Sequence, residues 1–208
     1  MYKEYGWKEK HVSSTEYIYR QIESRIVTGC KKCILDLGCG NGEIANLLIF
    51  EGFDVYGVDA SAQGIAIAEK QNPGHFFIMN FESDELPDEL KKKKFDAIIS
   101  TEVIEHLYSP VKYCKLAFSL LEPGGMIIIT TPYHGYFKNL LISLFGKWDK
   151  HFTPLWEGGH IKFWSHSTLK TLLENNGFSV TGMSGCGRIP YLWKSMVVTA
   201  VKEKKGKS

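Results

Sequence analysis

Residues 34–42 read Ile-Leu-Asp-Leu-Gly-Cys-Gly-Asn-Gly, an apolar stretch followed by a turn with glycines at positions 38, 40 and 42. A stretch with helical spacing follows this turn. Glycine has no Cβ, so the backbone can approach a ligand closely there and adopt angles that other residues resist. The Gly-x-Gly-x-Gly spacing differs from the Gly-x-Gly-x-x-Gly fingerprint, in which a helix N-terminus binds a pyrophosphate. The turn therefore predicts a nucleotide-like cofactor that lacks a pyrophosphate.

Short apolar runs alternate with stretches of helical spacing along the chain, which is typical of a parallel sheet with right-handed crossover helices. A helix is predicted over Trp7–Val27, with Ser13 and Glu16 as a capping box. The runs predicted as strands are 33–37, 54–58, 76–79, 95–100, 126–130, 178–183 and 195–202. A later helix should bury a face that comprises Val111, Cys114, Ala117, Phe118 and Leu121. No linker or repeat interrupts this pattern, so we predict a single domain over residues 1–208.

Composition and charge agree with one globular domain. The chain has 208 residues, 44% of them hydrophobic and 23% charged, and its net charge is +2. This charge is too small to indicate a nucleic-acid partner, and we interpret the lysines in 91–94 and 202–207 as a solvated loop and a tail. The five cysteines lack regular spacing, so Cys30 and Cys33 are interpreted as reduced thiols. The sequence has no signal-peptide pattern and no long apolar run, so we expect a cytoplasmic location.

Four elements resemble those of the class I S-adenosylmethionine-dependent methyltransferases, in the same order. Residues 34–42 resemble motif I of that family. Residues 57–61, Gly-Val-Asp-Ala-Ser, resemble the end of its second strand, where an acid, here Asp59, accepts hydrogen bonds from both ribose hydroxyls. Residues 95–100 resemble the fourth strand, and Leu-Glu-Pro-Gly-Gly at 121–125 resembles the turn into the fifth. The resemblance implies S-adenosylmethionine as the cofactor.

The same resemblance implies the fold. It is an α/β, Rossmann-like, doubly wound sheet of seven strands, mostly parallel, with an antiparallel C-terminal hairpin at one edge. The domain would include an N-terminal helix within residues 1–30 and a lid or acceptor insert over residues 132–166. Ligands of such sheets bind at the carboxyl ends of the strands.

The cofactor-binding residues implied by the resemblance lie in the glycine turn and at the strand ends. Asn80 follows the third strand, where many relatives carry an acid that contacts the adenine amino group. Two alternatives stay open: Asp59 as the N-cap of the next helix, and Asn80 and Phe81 as a turn residue and a core residue. The full predicted set is Asp36, Gly38, Cys39, Gly40, Asp59, Ala60, Asn80, Phe81 and Thr101.

Residues 101–106, Thr-Glu-Val-Ile-Glu-His, gather groups that suit acid–base or metal chemistry. Glu102, Glu105 and His106 are spaced i, i+3 and i+4, so one helical turn would place them on one face. The Glu-x-x-Glu-His run, with Gly159-His160 further on, resembles the ubiquinone-biosynthesis O-methyltransferases, some of which use a divalent ion. Carried over, the three side chains would bind magnesium. The alternative is His106 as a general base, and we favour turnover without a metal.

Histidines after the fifth strand depart from that subfamily. His134 should lie at the end of the strand and face the methyl group, so His106, His134 and Glu105 form the predicted catalytic set. The connection that follows could close over the acceptor, although each histidine in it could equally be structural. Its tryptophans could stack on a flat or sugar-like acceptor or pack within a lid. These residues are His151, His160 and His166, and Trp148, Trp156 and Trp164.

Residues 136–148 predict an amphipathic helix. Its apolar face would comprise Tyr136, Phe137, Leu140, Leu141, Leu144, Phe145 and Trp148, opposite Lys138, Asn139, Ser143 and Lys147. One hypothesis packs this face on the neighbouring sheet or on a second subunit as the acceptor lid. The other places it in a lipid interface, as a peripheral membrane contact. The oligomeric state stays open.

These features predict a methyltransferase that uses S-adenosylmethionine and acts on a small-molecule acceptor, with O-methylation as the reaction. A nicotinamide-dependent oxidoreductase is the enzyme alternative, and the glycine spacing disfavours it. A non-catalytic module that binds S-adenosylmethionine is the alternative from another class. An acceptor-methylation assay separates that module from the enzyme.

Overall fold

The computed structural model describes residues 15–29, 32–81 and 85–203. The predicted helix start at Ser13 and the thiol of Cys30 lie outside these residues. Within them, seven strands form one sheet in the order β3-β2-β1-β4-β5-β7-β6. The strands are β1 (Cys33–Leu37), β2 (Asp54–Asp59), β3 (Phe76–Ile78), β4 (Phe95–Thr101), β5 (Leu121–Pro132), β6 (Phe178–Cys186) and β7 (Ser195–Lys202).

Helices connect the strands on both sides of the sheet. They are α1 (Thr15–Thr28), α2 (Glu43–Phe50), α3 (Ala62–Glu69), α4 (Asp88–Lys91), α5 (Pro110–Leu120), α6 (Tyr136–Leu144), α7 (Trp148–Phe152) and α8 (His166–Glu174). A short 3₁₀ helix, Ile104–His106, follows β4. Among the described residues, no helix is both long enough and apolar enough to cross a membrane.

The predicted sheet is confirmed. Strands β1 to β5 pair in parallel, and β7 pairs antiparallel with both β5 and β6. The apolar strands are buried because helices cover both faces, and successive side chains alternate between the faces. Leu35 belongs to the apolar cluster that contains Tyr113, whereas its neighbour Ile34 belongs to the cluster that contains Ile22 and Leu48. This arrangement places the carboxyl ends of β1, β2 and β4 at one edge, around the switch point between β1 and β4.

Helix α5 buries a face that differs from the predicted one. Cys114 and Ala117 are fully buried as expected, but Val111 is 46% exposed and Tyr113 is buried in its place. Pro110 begins the helix, so Val111 lies in its first turn, beyond the edge of the core. The prediction for Val111 was therefore wrong.

Helix α6 exposes much of its apolar face, which was predicted to be buried, and buries Lys138 of its polar face. Tyr136 is 83% and Leu144 is 72% exposed, whereas Lys138 is only 7% exposed. Lys138 is buried because its ammonium donates a hydrogen bond to the carbonyl oxygen of Tyr133, at the end of β5. The hypothesis that the apolar face packs on the neighbouring sheet is wrong. Packing on a second subunit and contact with lipid both remain predictions.

Candidate active site

The glycine turn after β1 has the left-handed backbone angles that its sequence predicts. Gly38, Gly40 and Gly42 all have positive φ angles, of 88°, 56° and 74°. The backbone N–H groups of Gly38 and Cys39 both donate to the carbonyl oxygen of Val58 in β2, at 2.8 and 3.1 Å. The turn is therefore held against the end of the second strand, and residues with a Cβ would be strained at its three glycines.

Asp59 ends β2, and its carboxylate is fixed by two backbone amides. Its Oδ2 accepts from the N–H of Gly40 at 2.9 Å, and its Oδ1 accepts from the N–H of Ser61 at 2.8 Å. The N-cap of α3 is Ser61, whose hydroxyl accepts from the N–H of Gly64, so the alternative role of Asp59 as that N-cap is wrong. A carboxylate oxygen can accept more than one hydrogen bond. Each oxygen of Asp59 can therefore also accept from a ligand hydroxyl.

Asp36 lies in β1 beneath the glycine turn. It is 1% exposed, and its Oδ1 has no hydrogen-bond partner. Burial, together with the neighbouring charge of Asp59, raises the pKa of Asp36 to about 8. A buried carboxyl without a cationic partner is costly when charged, so this site would be stabilised by a ligand ammonium.

A cavity of about 780 Å³ opens at the carboxyl edge of the sheet. Its wall includes seven of the predicted site residues, and Phe152, Trp156 and His160 from the predicted insert also line it. Asp36, Cys39, Gly40 and Glu105 are not among the described residues that line it. The seven are Gly38, Asp59, Ala60, Asn80, Phe81, Thr101 and His106. Phe81 also packs on the buried Tyr113, so its core role and its cavity role are both present.

Glu102 lines the cavity and has a strained backbone conformation. Its φ is +55°, in the left-handed region that non-glycine residues rarely adopt. Its Oε1 accepts a hydrogen bond from the hydroxyl of Thr130 at 2.9 Å. Burial raises its pKa to about 7. Glu102, which follows β4, is therefore bonded to β5, and the predicted helical turn that would align it with Glu105 and His106 does not form.

Glu105 is buried behind the cavity and is held by the neighbouring strand. The hydroxyl of Thr131 donates to its Oε2 at 2.9 Å, whereas Oε1 has no hydrogen-bond partner. Burial raises the pKa of Glu105 well above its usual range, and the charge of Glu102 adds to this effect. His160 Nε2 lies 3.9 Å from Oε1. Burial, aided by the neighbouring His106 and His151, lowers the pKa of His160 to about 4, so His160 is neutral near pH 7.

Glu105, His106 and His160 are the one group of three potential metal ligands found among the described residues, with ligand atoms within 4.8 Å of one another. Glu102, which the resemblance would place in a magnesium site, is not part of this group. One carboxylate and two imidazoles suit zinc or another transition metal better than magnesium, which prefers oxygen ligands.

His106 has a defined tautomer. Its Nδ1 lies 2.9 Å from the carbonyl oxygen of Gly158 and 3.2 Å from that of Gly159. Carbonyl oxygens only accept hydrogen bonds, so Nδ1 carries the proton and Nε2 is the basic nitrogen of the neutral ring. Burial lowers the pKa of His106 below its ordinary value of 6.5, and the two carbonyls partly oppose this effect. The ring is therefore neutral near pH 7.

The insert is fixed to the 3₁₀ helix by its backbone. The N–H groups of Ile161 and Lys162 both donate to the carbonyl oxygen of Glu105, at 2.9 and 3.0 Å. The indole N–H of Trp164 donates to the carbonyl oxygen of Ile104 at 3.3 Å. These bonds place Trp156 edge-on to the ring of His106, with 5.9 Å between ring centroids.

His134 does not line the cavity. Its ring stacks on Phe152 at 5.7 Å between centroids and meets Phe163 edge-on at 5.3 Å. Its Nε2 is buried without a hydrogen-bond partner. His134 thus lies behind the cavity wall that Phe152 forms, which differs from its predicted position facing the methyl group. Lys138, which sequence reasoning placed on a polar surface, lies in the same region.

The arrangement fits S-adenosylmethionine in four respects. The carboxylate of Asp59 offers acceptors for the ribose hydroxyls. The unpaired oxygen of Asp36 suits the ammonium of the methionine part. The glycine turn permits close approach of the backbone, and Asn80 and Phe81 stand at the wall where the base would bind.

Comparisons with known proteins agree with this geometry. A family model described as "Methyltransferase domain" matches residues 16–182. The ubiquinone biosynthesis O-methyltransferase of Rattus norvegicus, a mitochondrial protein, is 30% identical over 165 residues, which are 76% of this chain and 47% of that protein. The ubiquinone biosynthesis O-methyltransferase of Cereibacter sphaeroides is 25% identical over 162 residues, which are 77% of this chain and 65% of that protein. The chain thus spans about half to two thirds of the length of these curated relatives.

Solved structures share the fold. The magnesium protoporphyrin IX methyltransferase of Synechocystis PCC 6803, determined with bound S-adenosylhomocysteine, superposes with a TM-score of 0.67 at 18% identity, over 89% of this chain and 82% of that one. An S-adenosylmethionine-dependent methyltransferase of Methanosarcina mazei superposes with a TM-score of 0.62 at 21% identity, over 83% of this chain and 93% of that one.

Proposed function

Because this chain belongs to the S-adenosylmethionine-dependent methyltransferase family, we propose that it is an enzyme that methylates a hydroxyl group of a small molecule. The observation that carries this proposal is the position of His106. Its ring lines the cavity, and its Nδ1 is occupied by the carbonyl oxygens of Gly158 and Gly159. Nε2 is then the nitrogen that can accept a proton from an acceptor hydroxyl.

The sulfonium of S-adenosylmethionine supplies an activated methyl group. Transfer is an in-line displacement, so the protein must align the acceptor and remove its proton. His106 would hold the hydroxyl and accept the proton at Nε2. Gly158 and Gly159 would position the ring and stabilise its charged form through the Nδ1 proton. Trp156, edge-on to His106, would restrict the orientation of the acceptor and exclude water.

O-methylation is supported over the alternatives by two features. A hydroxyl needs a base, and a neutral histidine in the cavity wall can act as one near pH 7. The curated relatives described above are O-methyltransferases of ubiquinone biosynthesis. The nicotinamide-dependent oxidoreductase and the non-catalytic module are not favoured, because the glycine spacing disfavours the first and a positioned base is not needed by the second.

A metal-dependent variant of the same reaction is the second candidate, favoured by the group of Glu105, His106 and His160. A transition-metal ion there would bind the acceptor oxygen and make a strong protein base unnecessary. We favour the metal-independent reaction, since the Oε2 of Glu105 is already bonded to Thr131 and burial favours the protonated form of this carboxyl.

The test is transfer of a radiolabelled methyl group from S-adenosylmethionine to a panel of catechols, phenols and sugars. We expect a methyl ether as product, identified by mass spectrometry. His106→Gln should reduce kcat by about 100-fold or more, the usual range for loss of a general base. His75→Gln is the matched control, because the Nδ1 of His75 also faces a carbonyl oxygen, that of Val55, away from the cavity. Equal rates for the two variants would contradict the assigned base, and products methylated only at carbon or nitrogen would contradict O-methylation.

A further inference from the structure

Lys138 is a buried cation with few partners. It is 7% exposed, and among the described residues the carbonyl oxygen of Tyr133 is the one hydrogen-bond acceptor of its ammonium, at 2.8 Å. An ammonium can donate three hydrogen bonds. Burial and, to a smaller extent, the charge of Arg188 lower the pKa of Lys138 to about 8, while the charge of Glu102 opposes this effect. A lysine held in this way would be stabilised by an anion.

Two imidazoles stand beside this lysine. His134 and His151 lie 5.9 Å apart between ring centroids, and Lys138 acts electrostatically on both rings. Burial is the main cause that lowers both pKa values, to about 4 for His134, so both rings are neutral near pH 7 and can each offer one N–H donor. The buried Nε2 of His134 has no partner. We call Lys138, His134, His151 and Arg188 the basic cluster.

Glu102 is the acidic group that faces the basic cluster. Its carboxyl is already bonded to the hydroxyl of Thr130, and burial raises its pKa to about 7, so it neutralises Lys138 only in part. Arg188, from the loop between β6 and β7, is exposed and adds a second full positive charge. The cluster therefore has more positive than negative charge within reach.

The basic cluster adjoins the acceptor part of the cavity. Phe152 lines the cavity and its ring stacks on that of His134, and Glu102 lines the cavity while its charge acts on Lys138. The ring of Phe152 thus separates the cavity from His134, and an anionic group of a molecule bound against His106 would pass this ring to reach the donors.

We propose that the basic cluster binds an anionic group of the methyl acceptor, a carboxylate or a phosphate. This inference rests on the proposed function, since it concerns the acceptor of that reaction. The acceptor is then an acidic hydroxy compound, and a neutral one binds less well. A purely structural role for Lys138, as an anchor of α6 to Tyr133, accounts for one of its three N–H groups and does not account for Arg188 or for the unpartnered nitrogen of His134.

The test uses three small probes of similar shape: benzoate, phenyl phosphate and the neutral benzamide. Each is titrated calorimetrically, in a low-chloride buffer, into protein saturated with S-adenosylhomocysteine. At least one anion should bind about tenfold more tightly than benzamide, because charge-assisted hydrogen bonds are stronger than those between neutral groups. A preference for benzoate identifies a carboxylate, and a preference for phenyl phosphate identifies a phosphate.

Lys138→Met should weaken binding of the preferred anion by about tenfold. Lys147→Met is the matched control, because Lys147 is exposed beside the same helix, and it should bind the anion as the wild type does. Arg188→Gln changes an exposed residue and should weaken binding less, so it tests the cluster even if Lys138→Met does not fold. Affinity for S-adenosylhomocysteine should be unchanged in all three variants.

The inference is overturned if benzamide binds as tightly as both anions, or if folded Lys138→Met and Arg188→Gln both keep wild-type anion affinity. Failure of the proposed O-methylation gives a different result: anion binding depends on Lys138, yet no hydroxyl compound with or without an acidic group is methylated.

Discussion

The Oδ2 atom of Asp59 lies 2.9 Å from the backbone nitrogen of Gly40, and this hydrogen bond joins the end of the second strand to the turn after the first. A second bond, from the N–H of Ser61 to Oδ1, fixes the other carboxylate oxygen. Cofactor binding should therefore depend strongly on this one side chain.

Asp59→Ala should weaken binding of S-adenosylhomocysteine by more than about tenfold, because loss of two charge-assisted hydrogen bonds costs roughly 2 to 4 kcal/mol. Calorimetry on the folded variant measures this change. Asp54→Ala is the control, since Asp54 begins the same strand at its exposed end. An unchanged dissociation constant in Asp59→Ala would remove the proposed ribose site.

The pH dependence of kcat/KM should report His106. Its pKa is lowered by burial below 6.5, and the neutral ring is the active form. The acidic limb of the profile should therefore be centred below pH 6.5. In His106→Gln this acidic limb should disappear. A limb centred above 6.5 would contradict the assignment.

Chelation should leave turnover unchanged. If His106 removes the proton, incubation with EDTA followed by gel filtration should retain nearly all activity, and added magnesium or zinc should not raise it. Complete inhibition that zinc reverses, together with loss of zinc binding in His160→Gln, would establish the metal-dependent alternative at Glu105, His106 and His160.

Without cofactor, the protein should lose stability between about pH 4 and 8 because of Asp36. The native carboxyl has a pKa of about 8, against 3.8 for an ordinary aspartate, so the folded chain keeps a proton that the unfolded chain releases. The free energy of unfolding then falls as the pH rises, by up to about 1.4 kcal/mol per pH unit from this group. Asp36→Asn should flatten the curve measured by urea denaturation. Glu102 and Glu105 also have raised pKa values, so the difference between the two curves is the quantity to compare. Parallel curves would contradict the shift at Asp36.

The apolar face of α6 should tolerate charge. Leu144 is 72% exposed, so Leu144→Glu should change the free energy of unfolding by less than about 0.5 kcal/mol. If this face makes a peripheral membrane contact, flotation with anionic vesicles at low salt should recover the wild type and recover less of the variant. Wild-type protein that stays in the soluble fraction would exclude that contact.

Most of the sheet could be predicted because buried parallel strands are short apolar runs bounded by glycine and polar residues. The strand starts at Cys33, Asp54, Phe76 and Phe95 agree with the predicted ones. Strand β5 begins at Leu121, five residues before the predicted start, because Leu121 pairs with Phe95 and residues 122–125 form an irregularity in the ladder. A local sequence pattern cannot predict this pairing, because Leu121 and Phe95 are far apart in the sequence.

The acceptor half could be predicted only in part. Periodicity predicted one amphipathic helix over 136–148, but α6 ends at Leu144 and Trp148 begins α7. Periodicity also could not show which face of α6 is buried, and Lys138 is buried with a hydrogen bond to Tyr133. The helical spacing of Glu102, Glu105 and His106 was misleading because Glu102 adopts a positive φ and turns towards β5. His160 lies beside Glu105 and His106 because the neighbouring Ile161 and Lys162 donate backbone hydrogen bonds to Glu105. Helical spacing relates only residues a few positions apart, so it could not predict this contact.

Because of those backbone bonds, the stretch that carries the insert could be exchanged between related proteins. Ile161 and Lys162 bind the carbonyl oxygen of Glu105, whose side chain is not needed for these two contacts. Within the stretch from Tyr133 to Ser165, residues 152–154 and 156–161 supply part of the cavity wall on the acceptor side, together with residues 102–103 and 106–108, while the cofactor wall comes from the ends of β1 to β4. Because any sequence carries the same carbonyl, the stretch can be exchanged between related chains as a cassette. Such chimeras would inherit the selectivity of the donor chain and the cofactor affinity of the recipient.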